Sequence, residues 1–200
     1  VNMSQPIAVL GDVHGCLSTL QAIYPSVKEA VGEENIYCVG DLVDRGTNSR
    51  GVVQFCMDHK IKVVRGNHEV MLLDAAEASE RFRRQGGEME AYEKLILFLR
   101  NGGETTLASY TAEAGTPGGL ADALADSGHG PWLADMPKVR EVGQLVISHA
   151  GFAQDDPEGQ DTIWHRNTLL RMPGKLQVMG HTPIRHPDYQ AGWYVNLDTG

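Results

Sequence analysis

The strongest constraint on this fold is one pattern met three times in the first seventy residues. A short apolar run enters a loop rich in Gly, Asp, Asn and His, and a helical periodicity follows. Ile7-Ala8-Val9-Leu10 leads to Gly11-Asp12-Val13-His14-Gly15, after which Leu17, Leu20, Ile23, Val27 and Val31 mark one face of a helix over about residues 18–30. Ile36-Tyr37-Cys38-Val39 leads to the loop at 40–46 and a helix over 50–59. Ile61-Lys62-Val63-Val64 leads to Arg65-Gly66-Asn67-His68-Glu69 and a helix from Val70. Strand, loop and helix in this order predict βαβ crossovers, an α/β chain and a sheet that is at least partly parallel. In such sheets ligands bind at the carboxyl ends of the strands, where these polar loops would gather.

The middle of the chain, 75–137, is rich in Ala, Glu and Gly, with helical stretches near 92–100 and 120–126 and a Gly-Thr-Pro-Gly-Gly breaker at 115–119. It has too few apolar residues for a core of its own, so it reads as a helical insertion or cap within one 200-residue domain. Strand-like runs return at 144–148, 177–179 and 193–197, and each again ends in a polar block: His149-Ala150-Gly151, Gly180-His181-Thr182 and Asp198-Thr199-Gly200.

Composition excludes some classes. Seventeen basic against 26 acidic residues leave a net charge of −9, which argues against stable nucleic-acid binding through a broad basic face. It leaves room for a small phosphorylated substrate, which needs positive charge at one spot only. No apolar run is long enough to span a bilayer, so no membrane association is expected. The three cysteines show no CxxC spacing; with no signal pattern they suit a reducing cytoplasm, Cys38 and Cys56 as buried thiols.

Asp12, His14, Asp41, Asn67, His149 and His181 each follow an apolar strand by one to three positions. Singly, each has a plain structural reading: a lone His after a strand is mostly a hydrogen-bonded residue, and a Gly-Asp pair is mostly a turn. Together, every loop on one sheet edge supplies an oxygen or imidazole donor and none supplies a thiolate. That set suits Mn²⁺, Fe²⁺ or Zn²⁺, and an aspartate between two ions can bridge a pair ~3.5–4 Å apart.

The ordered blocks Gly11-Asp12-Val13-His14-Gly15, Gly40-Asp41-Leu42-Val43-Asp44-Arg45-Gly46, Gly66-Asn67-His68-Glu69, His149-Ala150-Gly151 and Gly180-His181-Thr182 look like the motifs of calcineurin-like metallophosphoesterases. More narrowly they resemble the phosphoprotein phosphatase branch. The chain length and Asn101-Gly102-Gly103 are similar to its compact bacterial and bacteriophage Ser/Thr members. The resemblance implies a β-sandwich flanked by helices, in α/β/β/α layers with a helical insertion. It also implies two divalent ions, Mn²⁺ first, with Zn²⁺, Fe²⁺ or Ni²⁺ as alternatives. Asp12, His14 and His181 would hold one ion, Asn67 and His149 the other, and Asp41 would bridge them. His68 would be the general acid, oriented by Asp44, a pairing that fixes the imidazole tautomer and raises its basicity. Arg45 and Arg166, the latter within Trp164-His165-Arg166, would clamp the phosphate with their planar forks.

The implied activity is hydrolysis of phosphoserine and phosphothreonine, with phosphotyrosine a further substrate, by direct attack of a metal-bound hydroxide. Partners would be phosphorylated proteins or peptides and, in vitro, small phosphoesters. Related dinucleoside tetraphosphate hydrolases usually carry Ala where this chain has Asp44 and Asp where it has Glu69, which favours the phosphomonoesterase branch over hydrolysis of nucleotides or cyclic diesters. A non-catalytic scaffold should have lost a ligand or the acid, and here every motif position is present. Members of the resembled family continue past the segment matching Asp198-Thr199-Gly200, so the expectation is either that the sequence is clipped or that the last sheet edge is trimmed.

Overall fold

The structure, a computed structural model, describes residues 5–85, 89–110 and 119–200. The three repeated strands form one sheet: β1 (Ala8–Leu10), β2 (Ile36–Cys38) and β3 (Lys62–Val63), all parallel, in the order β1-β2-β3. A second sheet holds β4 (Val139–Val142), β5 (Leu145–Ser148), β6 (Leu176–Met179), β7 (Asp188–Gln190) and β8 (Tyr194–Asn196), in the order β4-β5-β6-β8-β7. Pairs β5–β6 and β6–β8 are parallel, while β4 and β7 run antiparallel at the edges. Neither edge strand is expected from the sequence. The Val139–Val142 and Asp188–Gln190 runs are too polar to mark a strand by apolar content alone.

Side-chain alternation builds the sandwich. In β2, Ile36 and Cys38 face the helical side, while Tyr37 and the following Val39 join Val64, Ile147 and Val178 between the two sheets. Ile7, Val9, Leu145 and Leu197 pack onto that inter-sheet cluster. With both faces of β2 covered, its residues are all buried, as expected of a parallel strand under helices.

The helices are α1 (Leu17–Val31), α2 (Ser49–Asp58), α3 (Asn67–Gln85), α4 (Met89–Phe98), α5 (Glu104–Tyr110), α6 (Leu120–Asp126) and α7 (His129–Ala134). A π-helical turn at Leu99–Gly103 joins α4 to α5. The segment expected as a helical insertion is mostly helical across its described residues. Phe98, Leu107, Leu124 and Leu133 share one core with Leu20 of α1 and Val53 of α2, so it is continuous with the helical layer of the first sheet. Residues 115–118 of the expected breaker lie outside the described residues. The outer face of the second sheet carries no matching helical layer: among the described residues no helix follows Ala134. The irregular stretch 151–170 lies there instead, pinned where the buried Gln177 side chain accepts from Phe152 N (2.7 Å) and donates to Leu170 O (2.6 Å).

Candidate metal centre and phosphate site

All the candidate donors sit where strands end. Asp12 and His14 follow β1, Asp41 to Arg45 follow β2, Asn67 and His68 open α3 after β3, His149 follows β5 and His181 follows β6. Five of these residues hold a left-handed backbone: His14 (φ 44°), Asp41 (φ 50°), Asp44 (φ 69°), Arg45 (φ 65°) and His181 (φ 67°). Such positions cost about 1 kcal/mol or more each and persist only where the surroundings over-determine them. Glu69 supplies much of that restraint. Fully buried, it accepts from Asp41 N (2.9 Å), Leu42 N (2.7 Å) and Gly66 N (2.9 Å), tying the β2 loop to the start of α3. Burial raises its carboxyl to about 6, helped by the nearby Asp41 charge and opposed by these N–H groups. The β1 loop docks on the same strand end through Val13 N (3.0 Å) and His14 N (2.8 Å), both donating to Asp41 O. At position 180 a Cβ would overlap Asp12 Oδ1, so the β6 loop can approach only as glycine.

Asp41 is the centre of the arrangement. Its carboxylate belongs to two groups whose donor atoms lie within 4.8 Å of one another, His14–Asp41–His68 and Asp12–Asp41–His149. His14 donates Nδ1–H to Val43 O (2.9 Å) and His149 donates Nδ1–H to Val39 O (2.8 Å), so both rings aim Nε2 inward. Asn67 Oδ1 lies 2.9 Å from His149 Nε2 and 2.9 Å from His181 Nδ1. The His181 ring therefore stands with Asn67 and His149 (ring centroids 5.0 Å from His149), whereas the family resemblance grouped it with Asp12 and His14; its backbone N–H does reach Asp12 Oδ2 at 3.2 Å.

The donor set fits a divalent cation. Asp12 Oδ1 and His14 Nε2 are both buried and without a hydrogen-bond partner, a cost that a cation would relieve. Burial raises the Asp12 carboxyl to about 7, with the Asp41 and Asp198 charges adding to it. Burial also lowers His14 and His181 to about 4, leaving neutral rings with lone pairs to give. Burial opposes charge on His149, yet the Asp41 carboxylate overrides it and lifts the ring to about 9; Asp41 itself is held well below the usual carboxylate range by that partner. A proton on His149 thus does in the metal-free site what a cation would do there.

Beside the donors lies a second buried unit. His68 Nδ1 is 2.7 Å from Asp44 Oδ2, and Arg45 Nη2 is 3.2 Å from His68 Nε2. Burial alone would lower His68, but the Asp44 bond and the Asp41 and Asp44 charges carry it upward. Asp44 is pushed up by burial, against the pull of His68 and Thr106. Arg45 N donates to Gly102 O (3.1 Å) on the π-turn, where Gly102 has φ +95°. Arg166 Nη2 donates to His181 O (3.4 Å), and with Met179, Trp193 and Tyr194 Arg166 lines a cavity of about 340 Å³. The structure thus brings Asp44, Arg45 and His68 together and places Arg166 next to the β6 loop, against His181.

Sequence reasoning missed Ser49 and Thr106, buried hydroxyls that bond Asp44. Thr106 stands 62 residues away in sequence and no local pattern signals it. His129, which matches no ligand motif, is buried among helices, between Tyr110 OH (2.7 Å) and Gln54 Oε1 (3.0 Å).

A family model for calcineurin-like phosphoesterases matches residues 5–198, and the chain belongs to that family. Over 96% of its length it is 30% identical to a protein named serine/threonine-protein phosphatase 1 from Salmonella typhimurium, and it spans 85% of that protein. Over 92% of its length it is 32% identical to a symmetrical bis(5'-nucleosyl)-tetraphosphatase from Paracidovorax citrulli, of which it spans 59%. Among solved structures it resembles a putative diadenosine tetraphosphatase, with a TM-score of 0.62 at 18% identity, covering 99% of this chain and 85% of that one. It also resembles a serine/threonine phosphatase from Saccharomyces cerevisiae, with a TM-score of 0.52 at 14% identity, covering 98% and 68%. These two likenesses show the shared fold. The chain is a hydrolase of the metallophosphoesterase superfamily, a family whose chemistry depends on divalent metal ions.

Proposed function

We propose that this chain is a cytoplasmic phosphomonoesterase acting on phosphoserine and phosphothreonine in proteins, with one catalytic domain carrying the whole site. The observation that supports it most is the buried Asp44–His68 pair beside Arg45. An alkyl oxygen is a poor leaving group and needs a proton in the transition state, which a positioned imidazole supplies. In this reading Arg45 binds phosphate oxygens, Arg166 meets the substrate from the β6 side, and His68 Nε2 delivers the proton while Asp44 holds Nδ1–H. Asp12, His14, Asp41, Asn67, His149 and His181 would hold two divalent ions, most simply Mn²⁺, with Zn²⁺, Fe²⁺ or Ni²⁺ as alternatives. When bound, these would neutralise phosphate charge and acidify a water.

A second reading, dinucleoside tetraphosphate hydrolysis, is favoured by the Paracidovorax relative and by Trp164. Trp164 is 41% exposed, and its backbone carbonyl accepts from His181 Nε2 (3.1 Å), so an exposed aromatic residue on which a base could stack adjoins the donor cluster in the chain. A nucleotide leaving group, however, departs with little protonation, so the Asp44–His68 pair would have little to do. Rates measured side by side on a phosphoserine peptide, diadenosine tetraphosphate and a 2',3'-cyclic nucleotide, with metal-stripped protein resupplied with Mn²⁺, Zn²⁺, Fe²⁺, Ni²⁺ or Mg²⁺ in turn, decide the matter. The monoesterase reading expects the phosphopeptide to be turned over fastest, and a clear preference for the tetraphosphate overturns it.

A further inference from the structure

Helix α5 contributes one hydroxyl to the buried pair beside the metal donors, and no motif contains it. We propose that Thr106 is a positioning residue for the reaction, holding the Asp44 carboxylate in the orientation that presents His68 to the leaving group; this rests on the reading of His68 as the acid. Three groups approach Thr106 Oγ1: Asp44 Oδ1 at 2.7 Å, Asp44 N at 2.9 Å and Ser49 Oγ at 2.8 Å. A hydroxyl has one proton and two lone pairs. The carboxylate oxygen accepts, so the Thr106 proton goes to Asp44 Oδ1. The backbone N–H donates, so it takes one lone pair. Ser49 is left to donate into the other, while its own oxygen also receives Asp44 N–H at 3.1 Å. Every proton in the chain Ser49 to Thr106 to Asp44 then has one direction.

The consequence falls on His68. A carboxylate torsion is broad and roughly two-fold, so one bond to His68 would leave Asp44 free to swing. With Oδ1 taken by Thr106, Oδ2 alone is left for Nδ1–H, and the second ring nitrogen is turned toward Arg45 Nη2, the guanidinium proposed to bind phosphate. Ser49, Asp44 and Thr106 are fully buried and His68 nearly so, which leaves solvent no route to replace a missing partner. The same short helix follows the turn whose Gly102 carbonyl receives Arg45 N and Thr105 Oγ1 (2.9 Å). One element of the helical segment therefore sets both the acid and the neighbouring guanidinium.

The test uses the full chain with Thr106→Val, which keeps the shape and removes the hydroxyl, and Thr106→Ser, which keeps the hydroxyl. On a phosphoserine peptide, Thr106→Val should lower kcat tenfold or more with KM within about twofold, while p-nitrophenyl phosphate, whose leaving group needs little protonation, loses less than threefold. Thr106→Ser should stay within threefold of the parent on both substrates. Equal loss on both, or no loss on either, overturns the proposal. If Thr106→Val does not fold, Ser49→Ala should show the same split at smaller size, and an unchanged ratio there overturns it equally. A substrate-free readout is the downfield proton resonance of His68 Nδ1–H, assigned by its loss in His68→Asn. It should move in Thr106→Val and stay in Thr106→Ser, and an unmoved resonance in Thr106→Val overturns the proposal. If the parent enzyme does not hydrolyse the phosphopeptide, the substrate reading falls and the resonance still decides the role of Thr106.

Discussion

His68 and Asp44 form a hydrogen-bonded pair in a setting that exposes almost none of either side chain. Buried polar groups of this kind persist only when fully partnered, and this pair is: Asp44 Oδ2 meets His68, Oδ1 meets Thr106, and Arg45 meets Nε2. The expected consequence is chemical. His68→Asn should lower turnover of a phosphoserine peptide by about 100-fold or more, the usual size of a general-acid contribution. The loss on p-nitrophenyl phosphate should be much smaller, and metal content, measured by elemental analysis, should be unchanged. Equal losses on the two substrates would remove His68 from the acid role. The residues of this pair were legible in the sequence because Asp44 and His68 stand inside short loop motifs. Ser49 and Thr106 were not, because a hydroxyl that bonds a carboxylate from another helix leaves no periodicity and no spacing to read.

At the scale of elements, the π-turn Leu99–Gly103 does what a straight helix could not. It kinks the helical run at Gly102, and Gly102 O takes Arg45 N while Arg45 keeps its left-handed backbone. A Cβ at Gly102 would lie 2.9 Å from Arg45 N and 3.0 Å from its Cγ, and φ +95° is itself strained for any other residue. Gly102→Ala should therefore cost about 1 kcal/mol of stability and displace Arg45. We expect KM for a phosphate ester to rise about tenfold, read by steady-state kinetics, with the phosphopeptide to p-nitrophenyl phosphate ratio of kcat unchanged. An unchanged KM would show that the turn does not govern the guanidinium. The helices α1, α2 and α3 follow from apolar spacing, since each buries one stripe. The edge strands β4 and β7 do not, since an edge strand needs ladder partners more than apolar side chains.

For the molecule as a whole, the acidic surplus and the buried donor cluster meet in one linkage. In the metal-free protein Asp12 is raised to about 7 against an ordinary 3.8, so its contribution to stability is present below about 4 and is lost as pH rises through about 7. His14 and His181, lowered to about 4 from 6.5, run the other way: their contribution is present above about 6.5 and is lost as pH falls toward 4. A divalent ion must displace the Asp12 proton at low pH and meets a carboxylate at high pH. The rise in Tm on adding Mn²⁺ should therefore be larger at pH 8 than at pH 5.5, by scanning calorimetry of the same metal-stripped sample. Equal shifts would exclude Asp12 from the ligand set. What the sequence determined by itself is the strand–loop–helix order and which polar residues the loops at the strand ends carry, because period and turn chemistry are local properties of the chain. Only the tertiary structure decided that the strands divide into two sheets, that His181 stands with Asn67 and His149, that Arg166 reaches His181 O, and that Thr106 reaches Asp44. Those are contacts between segments far apart in sequence. They are set by which apolar faces bury against each other in the inter-sheet core and under the helices, a choice that no single stretch of residues encodes.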